Sequence, residues 1–311
     1  MSEVRTLTVT LETVTPLFLG GANPSHPPEL RAPSVRGALR YWLRAALGGV
    51  IGDANLEGLR KLEQAVFGST DYGSPIAVQL HGLEGKPLSV KSEFILPHQQ
   101  SGRRKAFSAE QPMMLVLHQV RSNNEAVWKM ACATISLAIT FGGVGLRSRR
   151  GYGTLRVKSV APAIVPTTPS TLVGWKTHVQ QVAEQAISAA EALAQAHGIV
   201  VSGLPTGPAT YPCATQMGIL RISELKPAPT SAMEAVVAFM RKAKKVRALG
   251  GIDPRQASPL WVRPIEIGDH YALLFVTLAS KFRGSNYATV KAFLDNSFAG
   301  KDITAKGWNA L

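Results

Sequence analysis

The sequence predicts an α+β protein built from two tandem ferredoxin-like (RNA-recognition-like) βαββαβ domains, of which the second is degenerate. Three observations lead to this fold class. Leu7, Val9 and Leu11 alternate with threonines, which is the period of a half-buried strand. Residues 34–47 have the apolar spacing and the end signals of an amphipathic helix. Further strands and helices then follow in the order that this fold requires.

The first half contains one full set of these elements. The helix over 34–47 follows Pro33, a residue that favours a first helical turn, and it stops at Gly48 and Gly49. Hydrophobic patterning then predicts a helix over 56–67, strands over 75–80, 88–96 and 113–121, a helix over 124–141 and a strand over 152–160. We therefore expect the β-α-β-β-α-β order with an added helix and hairpin.

The proline-rich stretch at 160–172, VAPAIVPTTPSTL, is typical of an interdomain linker. It divides the chain into an N-terminal domain at 1–160, which holds a Gly-rich loop, and a C-terminal ferredoxin-like domain at 161–311. The second half predicts a helix over 170–197, a strand over 215–222, a helix over 230–249, strands over 259–267 and 271–279 and a helix over 287–298. This is a rougher version of the same plan, and no residue-level repeat links the halves.

The composition favours a folded protein with a polyanionic partner. Among 311 residues, 45% are hydrophobic and 17% are charged, which excludes extensive disorder. The 34 Lys and Arg residues outnumber the 20 Asp and Glu residues, so the formal net charge is +14. Nucleic acid is therefore the leading partner class, and a solvated basic surface is the alternative.

The sequence also predicts a cytoplasmic location. The first residues, MSEVRTLTVTLE, lack the pattern of a secretory signal. The apolar stretch at 131–145 is shorter than the roughly 20 residues that a membrane helix needs. Cys132 and Cys213 lie far apart without metal-ligand spacing, so neither a zinc site nor a disulfide framework is predicted.

Arg36, Arg40 and Arg44 recur every four residues and therefore form one basic stripe on the first predicted helix. Guanidinium groups along one helix edge can contact successive phosphates of a nucleic acid. No acidic residue at four-residue spacing on this helix would neutralise the stripe. We expect an RNA-binding stripe, with an ordinary solvated helix face as the alternative.

A Gly-rich loop at 142–153, GGVGLRSRRGYG, joins an apolar helix to a strand. Its glycines allow close approach of the backbone, and its arginines supply charge, so we expect an exposed loop that binds an RNA backbone. A flexible hairpin is the alternative. The loop lacks the Gly-Lys-Ser/Thr of a nucleotide-triphosphate site. The predicted RNA-binding residues of the loop are Gly142, Gly143, Gly145, Arg147, Arg149, Arg150, Gly151 and Gly153.

Two weaker basic patches have no assigned role. Arg103, Arg104 and Lys105 are predicted to lie in a polar hairpin tip. A second group of cations, from Arg241 to Arg247, is predicted at the end of a helix, where positive charge also complements the helix dipole. Binding and simple solvation remain open for both patches.

The sequence predicts no catalytic site, no metal site and no cofactor. Its seven histidines form no HxH or HExxH pair, and no carboxylate cluster suggests a two-metal site.

Several segments occur in the order seen in the RAMP superfamily of CRISPR proteins, which the chain resembles over most of residues 7–157. The segments are LETVTPLFLGGANP, PSVRGALRYWLRA, LEQAVFGSTDYGSPIAV and GGVGLRSRRGYGTL. The VRGALRYWLRA form and the later SPLWVRPIEIGDHYALLFVTL are most similar to the family of first subunits of type III-B Cmr effector complexes.

The resemblance implies a non-catalytic RNA-binding subunit of an antiviral ribonucleoprotein. Its implied partners are CRISPR RNA, target RNA near the 3′ end of the guide, and other subunits of the Cmr complex. The loop at 20–33 lacks the aspartate with which related backbone subunits cleave target RNA. Two alternatives stay open: a RAMP-type endoribonuclease that processes CRISPR RNA with His26 as general base, and a basic scaffold that binds acidic protein partners.

Overall fold

The protein is an α+β structure with antiparallel sheets. The computed structural model describes residues 4–21, 23, 26–121, 123–252, 255–281 and 287–308. The strands are β1 (Thr6–Thr13), β2 (Ile76–Gly82), β3 (Val90–Leu96), β4 (Ser101–Phe107), β5 (Pro112–Gln119), β6 (Leu155–Ala161), β7 (Leu220–Glu224), β8 (Gly251–Ile252), β9 (Arg255–Gln256), β10 (Leu260–Ile267) and β11 (His270–Thr277). The helices are α1 (Ala32–Ile51), α2 (Leu56–Phe67), α3 (Glu125–Phe141), α4 (Leu172–Ala196), α5 (Ala232–Ala243) and α6 (Tyr287–Ser297).

A four-stranded antiparallel sheet organises the first half, in the order β2-β5-β1-β6. Strand β1 buries Leu7, Val9 and Leu11, as its alternation predicts. Because β1 lies between β5 and β6, the loop that follows it and the loop before β6 come from neighbouring strands. This topology brings the loop after β1 close to the Gly-rich loop.

A three-stranded antiparallel sheet, in the order β10-β11-β7, organises the second half. On the other side of β7, Arg221 forms an isolated antiparallel bridge with Asp302. The Arg221 guanidinium also contacts Asp302 at 2.6 Å and Asp295 at 2.7 Å. The chain after α6 is therefore held at the open edge of this sheet.

Aromatic side chains from the two halves of the chain pack against one another in the interior. The Trp42 ring lies 5.2 Å from the Trp261 ring and 6.1 Å from the Phe141 ring, and Phe141 lies 5.2 Å from Trp308. Trp42 and Phe141 come from α1 and α3, whereas the other two tryptophans come from the second half. One hydrophobic core therefore joins the halves, and the division near residue 160 stays a prediction.

Arg263 is a buried cation in this shared core. It lies on β10 and donates hydrogen bonds to the carbonyls of Ile139, in the last turn of α3, and Leu155, at the start of β6. Burial lowers the pKa of its guanidinium to about 9. The negative end of the α3 dipole faces this cation, which partly offsets the cost of burying it.

Most predicted elements agree with the structure, but three predictions were wrong. Helix α1 does not stop at Gly48 and Gly49 but continues to Ile51, because both glycines are buried where a Cβ would meet Tyr211 or Ala214. Arg103, Arg104 and Lys105 lie within strand β4, not in a hairpin tip, and β4 pairs with β3. The helix predicted over 230–249 ends earlier, at Ala243, because Lys245 adopts a left-handed backbone with φ of 71°. Among the helices of the described residues, none has both the length and the apolar character needed to cross a membrane.

Candidate nucleic-acid interface

Arg40 has a structural role at the end of α2. Its guanidinium donates to Glu63 Oε1 at 2.8 Å and to the carbonyls of Phe67 and Gly68 at 2.7 and 2.6 Å. The last carbonyls of a helix have no partner within the helix, and they attract positive charge. Arg40 therefore fastens α2 to α1, and its donors face protein acceptors, not solvent.

The other two arginines of the stripe differ from Arg40 and from each other. Arg44 Nε lies 3.3 Å from Glu63 Oε2 and donates to the Arg40 carbonyl at 3.2 Å. Arg36 is half-buried, and its Nε is buried without an acceptor among the residues that the structure describes. The stripe was predicted to lack acidic partners, and this was wrong for Arg40 and Arg44 because Glu63 comes from a different helix. Arg36 keeps its uncompensated charge.

The Gly-rich loop is largely packed against the protein, so the prediction of an exposed loop was wrong for most of its residues. Val144 N–H donates to the Gly153 carbonyl, Gly153 N–H to the Pro16 carbonyl and Leu146 N–H to the Phe18 carbonyl, each at 3.0 Å. Gly153 has a φ of 59°, and a Cβ there would collide with the Val144 carbonyl. The loop is therefore fixed against the segment that follows β1.

The remaining glycines serve the same packing. Gly142 ends α3 against the Trp42 indole, which a Cβ would overlap, and Gly143 is buried beside the Tyr152 carbonyl. Gly145, with a φ of 84°, lies against the Phe18 carbonyl. A Cβ at Gly151 would come within 2.7 Å of a Val236 methyl group on α5. These glycines shape the loop, and their contact with RNA stays a prediction.

The three loop arginines divide into two that are tied to the second half and one that is not. Arg149 donates to the Ser258 carbonyl, and Arg150 donates to the Leu249 carbonyl. Burial lowers the pKa of Arg150 to about 10, with smaller contributions from Arg147 and Arg149. Arg147 is half-buried; its carbonyl accepts a hydrogen bond from Arg150 N–H at 2.8 Å, but its side chain makes no hydrogen bond or ion pair within the described ranges. Burial lowers its pKa as well.

A surface groove lies between α1 and the Gly-rich loop, but α1 lines it with Ser34, Ala38 and Tyr41 and not with the arginine stripe. Its volume is about 540 Å³. The groove is lined by Phe18, Leu19 and Gly20, by Ser34, Ala38 and Tyr41 of α1, by Gly143, Gly145, Leu146, Ser148 and Arg149 of the loop, and by Trp261 of β10. Four segments of the chain therefore border this groove, and Arg149 is the arginine among its lining residues.

An aromatic pair that the sequence analysis missed lies at this groove. Trp261 Nε1–H donates to the Tyr41 hydroxyl at 3.2 Å, and the Arg149 guanidinium lies 5.1 Å from both ring centres. Burial raises the pKa of Tyr41, although Arg149 opposes this effect. Tyr41 stands between Arg40 and Trp42 in the sequence motif, but nothing in the sequence places Trp261 beside it.

The described residues show no catalytic constellation. His26 is exposed, and no side-chain partner orients its ring in the part of the chain that the structure covers. No group of three or more potential metal ligands occurs among the same residues. Burial raises the pKa of Cys132 and Cys213 to about 12, so both remain protonated thiols at neutral pH.

Sequence comparison places residues 10–156, which include α1 and the Gly-rich loop, within the RAMP superfamily. A Pyrococcus furiosus protein, CRISPR system Cmr subunit Cmr1-2, is 30% identical over 178 residues, or 48% of this chain and 92% of the relative. A second protein of that organism, Cmr subunit Cmr1-1, is 33% identical over 140 residues, or 42% of this chain and 41% of the relative.

Two solved structures have a similar fold. The crystal structure of Cmr1 from Pyrococcus furiosus in its apo form matches with a TM-score of 0.68 at 20% identity, and the match covers 98% of this chain and 100% of that chain. A chain in the cryo-EM structure of the type III-B Cmr-beta complex bound to cognate target RNA matches with a TM-score of 0.60 at 12% identity. That match covers 94% of this chain and 98% of the other.

Proposed function

The chain belongs to the RAMP superfamily, and from this premise we propose that it is a non-catalytic RNA-binding subunit of a type III-B CRISPR (Cmr) effector complex. In this role it holds CRISPR RNA, target RNA or both near the 3′ end of the guide, beside other subunits of the complex. The relatives named as Cmr subunits support this assignment. A chain of the same fold in a complex with target RNA also supports it.

The groove between α1 and the Gly-rich loop is the observation that carries the RNA-binding role. Arg36 and Arg147 lie on the two elements that border it, outside its lining, and neither forms an ion pair with a carboxylate among the described residues. Phosphate contacts by such arginines supply affinity that depends on salt but carries little sequence information. The proposed ligand is therefore a single-stranded RNA backbone.

We further propose that the two halves are variants of one ferredoxin-like plan, with domains at 1–160 and 161–311. The first sheet has the order β2-β5-β1-β6. The second has the order β10-β11-β7, with Asp302 bridged to the outer edge of β7 where a fourth strand would lie. The second domain is degenerate because that fourth position holds only an isolated bridge.

Fluorescence anisotropy with short single-stranded RNAs of unrelated sequence tests the RNA-binding proposal. We expect affinities within about tenfold of one another, because phosphates are the main contacts. The double variant Arg36→Ala/Arg147→Ala should reduce the slope of log affinity against log salt by about 1.4, at roughly 0.7 for each lost contact. The charge-matched control is Arg60→Ala/Lys176→Ala, at exposed positions of α2 and α4.

Two results would contradict the proposal. One is a strong preference for a particular RNA sequence, which phosphate contacts cannot produce. The other is an unchanged salt slope in the double variant, which would show that Arg36 and Arg147 are solvated cations.

A further inference from the structure

Four cations from two segments and a histidine from a third meet where the hairpin of β3 and β4 packs on α5. The 3-10 turn of this hairpin, Pro97–Gln99, contacts α5. Pro97 and Arg241 line the same cleft, which has a volume of about 870 Å³. We define the junction cluster as His98 in the turn, Arg147 and Arg150 in the Gly-rich loop, and Arg241 and Lys244 at the end of α5.

The junction cluster forms no ion pairs, although Glu93, Glu224 and Glu234 line the same cleft. Burial lowers the pKa of His98, and Lys244, Arg147, Arg241 and Arg150 lower it further, so all four cations act on this ring. None of the five members forms an ion pair with a carboxylate in the described portion of the chain. Cations held together without paired acids repel one another, and a bound anion relieves that repulsion.

Two buried polar atoms of the junction cluster also lack partners. His98 Nδ1 and Arg150 Nη1 are both inaccessible to solvent and have no hydrogen-bond partner in the structure. Buried polar atoms are nearly always hydrogen-bonded in native proteins, so each exception requires an explanation. Because both atoms are inaccessible to solvent in this arrangement, a ligand would pair with them only after the two side chains rotate.

We propose that the junction cluster binds a phosphate group of the RNA, so that one strand contacts the Gly-rich loop and the C-terminal half together. This site rests on the proposed function, and it assigns a role to Arg241 and Lys244. A phosphate fits because its oxygens accept hydrogen bonds from several directions, as donors from three segments require. The cluster also includes Arg147, which the proposed RNA path already contains.

The double variant Arg241→Ala/Lys244→Ala tests this site. Both side chains are exposed at the end of α5, so their removal should leave the fold intact. The control Arg60→Ala/Lys176→Ala removes the same charges from α2 and α4. The probes are one short single-stranded RNA with hydroxyl ends and the same RNA with a 5′ or a 3′ phosphate. We expect affinity about tenfold below that of the control, and a salt slope smaller by about 0.7, because one phosphate contact is lost.

The pattern across the probes identifies the source of the phosphate. If the double variant loses affinity for all three RNAs, the bound group is a backbone phosphodiester. If it loses affinity only for the RNA phosphorylated at one end, the bound group is that terminal phosphate. Either result supports the site. If the parent binds RNA and the double variant matches the control, the junction site is wrong while the proposed function stands. If the double variant binds polyglutamate more weakly than the control but binds RNA equally well, the cluster contacts an acidic protein. That result would also overturn the proposed phosphate site. If the parent binds no RNA, both proposals fail.

Discussion

Replacing Arg40 by Ala should destabilise the protein, whereas replacing Arg36, one helical turn earlier on α1, should not. Arg40 has a side-chain exposure of 27%, and its partner Glu63 has 14%, so solvent replaces these contacts poorly. The substitution removes the ion pair and leaves the buried carbonyls of Phe67 and Gly68 without their donor. Hydrogen bonds to charged groups contribute about 1.5–3 kcal/mol each, and such contributions are not additive, so we expect a net loss of about 3 kcal/mol.

Thermal melting converts this loss into a measurable shift. With an unfolding entropy of about 2.1 cal/mol/K per residue over the 311 residues, about 3 kcal/mol lowers Tm by about 5 °C. Arg36→Ala should stay within about 0.5 kcal/mol of the parent and should instead reduce the salt slope of RNA binding by about 0.7. The two variants remove the same charge from the same helix, so each controls for the other.

A double-mutant cycle isolates the Arg40 contact with Glu63. Combining Arg40→Ala with Glu63→Gln should reveal a coupling of about 1–2 kcal/mol, because the pair is close and largely shielded from solvent. Arg44 lies 3.3 Å from the same carboxylate, so Arg44→Ala should show a weaker coupling. If Arg40→Ala melts with the parent, or Arg36→Ala melts several degrees lower with RNA binding unchanged, the two roles have been assigned wrongly.

Acidification should destabilise the protein through His178, because burial, and to a smaller extent Arg263, lower its pKa to about 4. An unfolded histidine titrates near 6.5, so the unfolded state binds more protons between these values. The free energy of unfolding should therefore fall by up to about 3 kcal/mol as pH drops through this window. In urea melts, His178→Gln should make the free energy of unfolding depend less on pH. A variant with the same pH dependence as the parent would refute the assignment. Replacing Arg149 and Arg150 together by Ala should lower Tm by several degrees, since both donate to carbonyls of the second half, and an unchanged Tm would show these contacts to be dispensable. Labelled RNA incubated with the protein should stay intact with or without Mg²⁺, whereas cleavage that His26→Ala abolishes would support a processing endoribonuclease.

Local sequence signals predicted the helices and most strands because those signals are physical caps and periodicities. Helix α2 occupies the predicted residues 56–67, and Asn55 caps it by accepting a hydrogen bond from Gly58 N–H. Strand β4 was missed because Ser101–Phe107 places three cations in succession and lacks apolar alternation. That strand is held by its ladder to β3, and its first five residues remain exposed. Pairing across a hairpin, not local patterning, determines such an element.

The candidate interface was only partly predictable for a similar reason. The sequence identified α1 and the Gly-rich loop, and the structure brings them to one groove. It could not distinguish Arg40 from Arg36, because Glu63 lies on another helix, or Arg149 from Arg147, because Ser258 lies in the second half. The role of each arginine depends on tertiary partners, and four-residue spacing contains no information about them.

The division among the arginines has a consequence for binding. Arg40 donates hydrogen bonds to the Glu63 carboxylate and the Phe67 carbonyl, and Arg149 donates to the Ser258 carbonyl. These contacts hold α1 and the Gly-rich loop in place. The side chains of Arg36 and Arg147, on the same two elements, have no carboxylate partner among the described residues, and these are the two arginines that we propose to contact RNA. A ligand that meets elements already fixed in position loses less binding energy to the ordering of the protein. Removing Arg149 should therefore weaken RNA binding without reducing the number of phosphates contacted: the affinity should fall at every salt concentration while the salt slope stays that of the parent.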